Sequence, residues 1–161
     1  MAMQYDVKSA HTSASGVAVG YRTRLKGVLM SPSGSTTVNS VFANNLSLSG
    51  TYNVPASTVC TVTIADHGLS NGDRVYLNFT SGSSADNIYT VANVSTNTFT
   101  VTVASATTNG NVTMYAVVLM ELDCSSATAF YTMIPGEGIL AGQGIYVGLP
   151  SATVTTTLFY G

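Results

Sequence analysis

Residues 58–79 read TVCTVTIADHGLSNGDRVYLNF, two runs of strand-forming residues separated by turn-forming ones. In the first run Cys60, Val62 and Ile64 alternate with more polar residues, which is the period of a strand with one buried face. Asn71 and Gly72 form a strong turn signal just before the second run, RVYLNF at 74–79. This stretch therefore predicts short strands joined by a turn.

The same texture continues along most of the chain. Further strands are predicted over 17–30, 38–44, 88–95, 98–104, 111–122, 129–134, 144–149 and 153–160, with loops at 31–37 and 80–87 and a turn at TNGN, 108–111. Short strands spaced by about 8 to 12 residues are typical of a sandwich or barrel. No segment keeps a helical period over three turns, so we expect an all-β, antiparallel β-sandwich or barrel.

The composition is poor in charge. Charged residues make up 7% of the chain, against about 25% in ordinary globular domains. A surface with so few charges is weakly protected against self-association, which suggests that partners cover much of it. A subunit of an assembly and a secreted adhesive β-protein both fit.

The charge also limits the classes of partner. The net charge of -2 gives no electrostatic case for nucleic acid. The longest apolar run, YAVVLM at 115–120, is too short for a membrane-spanning helix. We expect neither nucleic acid nor a membrane as a partner.

The segment IPGEGILAGQGIYVGL, 134–149, raises the question of a phosphate-binding loop. A P-loop needs a Lys and a Ser or Thr after its glycines, and a dinucleotide site needs a following helix. Gly142 is instead followed by Gln143, Gly144 and a strand-like run. The glycines therefore predict two turns, 136–138 and 142–144, with Glu137 at an exposed tip.

Residue clusters that could support metal binding are weak. Asp66, His67 and Asp73 lie close in sequence, but they lack the alternating oxygen ligands and closing Glu of a hard-cation loop. His11 has no visible partner, and Cys60 and Cys124 are far apart, so no zinc spacing exists. A turn stabilised by Asp and Asn side chains, and two buried free thiols, are the simpler interpretations. We expect no metal and no cofactor.

Catalytic patterns are equally weak. Glu121 and Asp123 share one side of a strand, as an acid-base pair could, but a solvated strand end explains them as well. No serine lies in a nucleophile motif of the form GxSxG. The sequence therefore predicts no catalytic residue and no enzyme.

The basic stripe is the sharpest local signal. Arg22, Arg24 and Lys26 are expected on one face of a strand, opposite Tyr21, Thr23 and Leu25. The stripe could dock on an acidic partner surface, or it could protect an edge strand from aggregation. Together with Glu137, these three residues are the candidate partner contacts.

Two parts of the chain resemble known proteins. HGLSNGDRVYLNFTSGSSADNIYTVANVSTNTFTVTVAS, 67–105, resembles a small β module of phage tail, fibre and other virion proteins. YDVKSAHTSASGVAVGYRTRLKGVLMSPSGS at 5–35, YTMIPGEGILAGQGIYVGL at 131–149 and VTTTLFYG at 154–161 resemble small virion proteins of T7-like tailed phages. In shorter relatives the strand matched here by 38–44 runs directly into one matched by VVLMELD, 117–123.

The resemblance implies a domain organisation and a function. Residues 1–46 and 116–161 would form a discontinuous β frame, with 47–115 as an inserted β module. The protein would be a capsid decoration or cement subunit on the outer capsid surface of the virion, bound to the major capsid protein as a homo-oligomer, with a trimer favoured. The alternatives are a tail or fibre component, or a module that adheres to host-surface glycans. Tyr76, Phe79 and Tyr89 could form a sugar platform, but they could equally fill the core of the module.

Overall fold

A computed structural model describes residues 7–33, 38–56, 58–104, 107–124, 128–149 and 154–161. Its elements are all strands, in the order β1 Lys8–Thr12, β2 Gly16–Val19, β3 Thr23–Pro32, β4 Val38–Asn44, β5 Ser47–Val54, β6 Val59–Thr63, β7 Arg74–Phe79, β8 Asn87–Thr90, β9 Thr98–Thr102, β10 Thr108–Tyr115, β11 Val118–Cys124, β12 Phe130–Met133, β13 Ile139–Ala141, β14 Ile145–Gly148 and β15 Val154–Tyr160. The strand pairs are antiparallel, so the predicted all-β antiparallel class is confirmed. Within the described part of the chain, no helix is long and apolar enough to cross a membrane.

The chain divides into two compact units. One combines residues 1–45 with 119–161, and the other is the continuous segment 46–118 between them. The boundaries predicted from the sequence lie at 46/47 and 115/116.

The discontinuous unit is a sandwich of two sheets. One sheet has the order β1-β15-β3-β12, with β13 also paired to β3, and the other has the order β11-β4-β14-β2. Strand β3 is the longest, and it pairs along most of its length with β15, so that residues from opposite ends of the sequence lie side by side. The core between the sheets takes residues from both: Val19, Leu25, Val28, Met30, Phe42, Cys124, Ala141, Ile145, Val147, Leu149, Val154 and Leu158.

The continuous unit is a six-stranded sheet curled into a barrel. Its order is β8-β7-β10-β5-β6-β9. The free side of β9 is paired by Ala92, just after β8, because the Ala92 and Thr100 amides donate to each other's carbonyls at 2.9 and 2.8 Å. This bridge returns the sheet to its starting point and leaves little open edge.

The barrel interior confirms the alternation predicted for 58–65. Cys60, Val62 and Ile64 point inward and are buried, whereas the residues between them are exposed. They belong to an apolar core that also contains Tyr52, Val54, Val75, Leu77, Val91, Phe99, Val101, Val103, Val112 and Met114. Asn71 and Gly72 form the expected turn, with Gly72 at a φ of 94°.

The turn predicted at 108–111 is wrong. These residues begin strand β10, where Gly110 pairs with Tyr52 of β5. A Cβ on Gly110 would lie 2.5 Å from the Ser81 hydroxyl oxygen and 2.6 Å from its carbonyl oxygen. The glycine therefore admits the approach of a neighbouring loop to a strand, and it does not mark a turn.

Candidate functional site

A shallow pocket lies at one end of the barrel. It has a volume of about 390 Å³ and is formed by the segment between β6 and β7 and the segment between β8 and β9. Its lining residues are Asp66, His67, Gly68, Leu69, Val94, Ser95 and Thr96.

Side chains tie both segments to the backbone. The Ser70 amide donates to the Asp73 carboxylate at 2.8 Å, and the Val94 amide donates to Asn71 Oδ1 at 3.0 Å. The Asp66 amide donates to Asn97 Oδ1 at 3.1 Å. The first bond closes the turn at 70–73, and the other two join residues that are 23 and 31 positions apart in the sequence. The pocket wall is therefore formed before any ligand arrives.

His67 supports the wall of this pocket. Its Nδ1 accepts a hydrogen bond from the Leu69 amide at 3.1 Å, and its ring meets Phe99 edge-on at 5.1 Å between centroids. The imidazole is buried, and its Nε2 has no hydrogen-bond partner among the described residues. These contacts give His67 a structural role in the turn.

Asp66, His67 and Asp73 do not form a metal cluster. The Asp73 carboxylate is engaged with the Ser70 amide, and His67 uses Nδ1 as an acceptor. Among the described residues, no group of three or more His, Cys, Asp or Glu side chains could hold a metal ion.

The pocket can accept polar, uncharged groups. The exposed Asp66 carboxylate is a hydrogen-bond acceptor, and the Thr96 hydroxyl can both donate and accept. The Ser95 hydroxyl is already engaged with the carbonyl, hydroxyl and amide of Thr98, at 3.3, 2.8 and 3.2 Å. Leu69 and Val94 add apolar wall between them. No cationic side chain is among the lining residues. A small hydroxyl-bearing ligand fits this combination better than an anion does.

The aromatic residues considered as a sugar platform are buried or half-buried. Tyr76 is fully buried, and Phe79 packs edge-on against both Tyr52 and Tyr89 at 4.6 and 6.0 Å. Burial raises the pKa of Tyr89 to about 12, and its hydroxyl donates to the Ala85 carbonyl at 2.6 Å. Phe79 and Tyr89 pack against the barrel core, whereas Tyr76 alternates with the core-facing residues of β7 and lies on the other face of that strand. The three rings form no exposed platform.

The predicted basic stripe is only partly formed. Arg22 is exposed but precedes β3, whereas Arg24 and Lys26 lie in that strand and are half-buried. Arg24 Nη1 donates to the Gly138 carbonyl at 3.2 Å, which links β3 to the glycine turn.

The interpretation of this strand as a charge-protected edge is wrong. Strand β3 pairs with β15 on one side and with β12 and β13 on the other. Its charged residues therefore decorate one face of a central strand.

The glycine segment forms two turns, as the sequence predicts. Gly136 and Gly138 have φ angles of 66° and 79° around the exposed Glu137. Gln143 lies at a second turn between Gly142 and Gly144. A short strand that the sequence did not predict, β13, lies between the two turns.

The remaining candidate residues, apart from Asp123, are buried or hydrogen-bonded within the fold. Glu121 accepts a hydrogen bond from Asn39 Nδ2 at 2.6 Å, whereas Asp123 is exposed. His11 Nδ1 lies 3.0 Å from Thr157 Oγ1. Cys60 and Cys124 are buried and form no disulfide, and burial raises the pKa of Cys60 to about 11.

The sandwich also carries a groove that the sequence did not predict. It has a volume of about 230 Å³ and follows strand β12 and the Gly136 turn. Tyr131 and Met133 are exposed on it, at 51% and 69%. The alternation in FYTM was a signal for a strand, but not for its place at a sheet edge. The lining residues are Val7, Lys26, Tyr131, Met133, Ile134, Gly136 and Phe159.

Comparisons with known proteins give little further assignment. No family model matches the sequence, and no curated protein matches it. The solved structure of "Phage phi92 endosialidase" is similar to 81% of this chain, with 22% sequence identity and a TM-score of 0.36. The chain spans 20% of that protein's length. At this TM-score the likeness carries no argument, so the resemblance to small virion proteins stays a prediction.

Proposed function

We propose that this chain is a structural subunit of a phage virion, and specifically a decoration or cement protein that binds the major capsid protein on the outer shell. The observation that carries the proposal is the joining of the segments that resemble small virion proteins. Residues 131–149 and 154–161 pack with the described residues of 5–35 in one sandwich, where β15 lies along β3. The resembling segments therefore make one folding unit, as a shared ancestral frame requires.

The use of the polar residues supports a structural role over an enzymatic one. Glu121 is bonded to Asn39, His11 to Thr157, and His67 to the backbone of its own turn. A general base has to reach the proton of a substrate, whereas these groups are occupied in holding the fold together. We propose that the protein is not an enzyme and needs no cofactor.

The scarcity of charged residues supports attachment to other chains. With 7% charged residues, much of the surface is suited to contact with another protein. Arg22 and Glu137 are exposed, and they are the candidate partner contacts that a capsid surface can reach directly. Arg24 and Lys26 are half-buried, so they would act mainly through the positive electrostatic potential at this surface.

Particle composition tests the proposal. Quantitative mass spectrometry of purified virions should find this protein in a fixed ratio to the major capsid protein, with a similar copy number. A copy number matching tail proteins would favour the tail or fibre alternative and contradict the decoration role. Absence from virions would contradict both.

A charge reversal tests the contact surface. Arg22→Glu should weaken binding to undecorated capsids, because a cation that faces the partner becomes an anion. Arg74→Glu, an equal change at an exposed position on the barrel, is the matched control and should bind normally. Equal binding of both variants would contradict a contact at Arg22.

Adhesion to a host-surface glycan is the second candidate function, and the barrel pocket favours it. Asp66 and Thr96 can bond to sugar hydroxyls while Leu69 and Val94 contact carbon-bound hydrogens. Neutral monosaccharides should shift the amide NMR signals of these residues.

An Asp66→Asn variant tests this second function. Asp66 has a φ of 48°, a region that Asn tolerates, so the variant keeps the loop while removing the charged acceptor. It should weaken sugar binding, whereas Asp123→Asn on the sandwich should not. No sugar-induced shift in the wild-type protein would contradict a sugar site here.

A further inference from the structure

Strand β12 is an unpartnered sheet edge with its own recognition pattern. We infer that two copies of this chain associate through β12, paired antiparallel about Thr132. Among the described residues, β12 pairs with β3 alone, so its other side lies open. This contact is independent of whether the protein decorates a capsid.

Hydrogen bonding sets which backbone groups are open. The Ile134 amide, just beyond the strand, donates to the Lys26 carbonyl at 2.9 Å. Alternate residues of an antiparallel strand bond to the same neighbour, so Thr132 also points its backbone groups toward β3. The amides and carbonyls of Tyr131 and Met133 therefore point away from the sheet.

The side chains of those same two residues are exposed. The burial of β12 alternates, with Phe130 and Thr132 half-buried and Tyr131 and Met133 exposed. Tyr131 is held in place by an edge-on contact with Phe159 at 5.6 Å. Its hydroxyl also covers Gly27, where a Cβ would lie only 2.9 Å from it. The ring is thus fixed before any partner arrives, which reduces the entropy cost of binding.

A second copy matches this pattern. A two-fold axis at Thr132 places Tyr131 opposite Met133 of the copy, and Met133 opposite Tyr131 of the copy. Both pairs are then hydrogen-bonded pairs, because both residues carry the outward backbone groups. In each of the two symmetric pairs, the Met133 thioether of one copy also contacts the Tyr131 ring of the other, and sulfur–aromatic contacts are favourable. A symmetric interface of this kind closes on itself and stops at two copies.

The edge carries no charge that opposes such pairing. Natural edge strands are kept very short or carry lysine, proline, bulges or inward charges; β12 is short, with four residues, but FYTM has no charge, proline or bulge. The opposite edge of the same sheet, β1, begins with the exposed Lys8. Of the two edges of this sheet, β12 is therefore better suited than β1 to pair with another chain.

Sedimentation of the full chain tests the inference. We expect a monomer–dimer equilibrium between about 1 μM and about 1 mM. Met133→Lys should shift it at least about tenfold toward monomer, because an edge lysine opposes pairing. Val17→Lys, a change at a residue 56% exposed on β2 of the other sheet, should leave the equilibrium unchanged. A single monomer mass throughout, a trimer, or equal effects of the two variants would overturn the inference.

A symmetric disulfide tests the register. In a non-hydrogen-bonded antiparallel pair, the two Cα atoms lie about 4.5 Å apart, within the range that a disulfide spans. Thr132→Cys should therefore oxidise to a covalent dimer, whereas Ser9→Cys on β1 should stay monomeric. Cys60 and Cys124 are buried, so they do not compete. Failure of Thr132→Cys to cross-link faster than Ser9→Cys would overturn the proposed pairing.

Discussion

Alanine at Gly144 should destabilise the sandwich strongly, because two separate costs meet there. Gly144 has a φ of 100°, and a left-handed backbone costs a residue with a Cβ about 1–2 kcal/mol. The added Cβ would also overlap the Val19 carbonyl oxygen and lie 3.0 Å from the Tyr21 amide nitrogen. Overpacking costs about 1–3 kcal/mol. We expect Gly144→Ala to lower the free energy of unfolding of this unit by about 2–5 kcal/mol.

Two neighbouring glycines separate the two costs. Gly136 has a φ of 66° with open space around its missing Cβ, so Gly136→Ala carries the backbone cost alone, about 1–2 kcal/mol. Gly142 also has open space and lacks a positive φ. Gly142→Ala should be neutral, or stabilising by up to about 1 kcal/mol through the unfolded chain.

Hydrogen exchange measured by mass spectrometry can follow this series, because it reports opening free energies segment by segment. Peptides from β14 should show the order Gly142→Ala, Gly136→Ala, Gly144→Ala, from least to most destabilised. Peptides from β10 in the barrel serve as the internal reference and should not change. An equal cost at Gly136 and Gly144 would refute the contribution of close approach. A cost at Gly142 as large as at Gly136 would refute the contribution of φ.

Further predictions concern the barrel and the thiols. Burial raises the pKa of the Cys60 thiol to about 11, against an ordinary 9.0. The stability that the neutral thiol contributes to the barrel is therefore fully present below pH 9 and is lost as the pH rises through 11. Urea unfolding should therefore show a loss of about 2–3 kcal/mol over that interval in the wild type, relative to the Cys60→Ala variant; parallel pH profiles would contradict this. Tyr52→Phe removes hydroxyl bonds to the Ser81 carbonyl at 3.0 Å and to Thr108 Oγ1 at 3.2 Å, and it should cost about 1–3 kcal/mol in urea unfolding; an unchanged midpoint would contradict the role of these bonds. Cys60 and Cys124 should resist a thiol reagent in the native protein and react in urea, and rapid native labelling would contradict their burial.

Local pattern was enough to predict elements whose structure depends on near neighbours. The strand expected at 38–44 is β4, Val38–Asn44, and the inward face of β6 follows from strict alternation at Cys60 and Val62. The glycine turns were also predictable, because Gly136 and Gly138 adopt backbone angles that other residues resist. The candidate pocket was not predictable, since its two walls are separated in sequence by β7 and β8.

Contacts between distant residues explain the errors. Gly110 was predicted to lie in a turn because the residues next to it in the sequence do not indicate that Ser81 packs against its backbone. The basic residues of β3 resembled edge protection for the same reason. Whether a strand is central depends on which partners arrive, and β3 is enclosed by β15, about 130 residues further along the chain.

The position of β12 shows how this limit bears on function. The sequence FYTM would suit an interior strand equally well, because aromatic residues and threonine are common in strands of both kinds. FYTM alone therefore does not indicate an interface. It becomes one because β15 occupies one side of β3 and leaves β12 to end the sheet on the other. The residues that distinguish an edge from a centre therefore lie outside the strand itself. This is why Tyr131 and Met133 were overlooked in the sequence, while the more conspicuous charges at Arg24 and Lys26 drew attention to the middle of the same sheet.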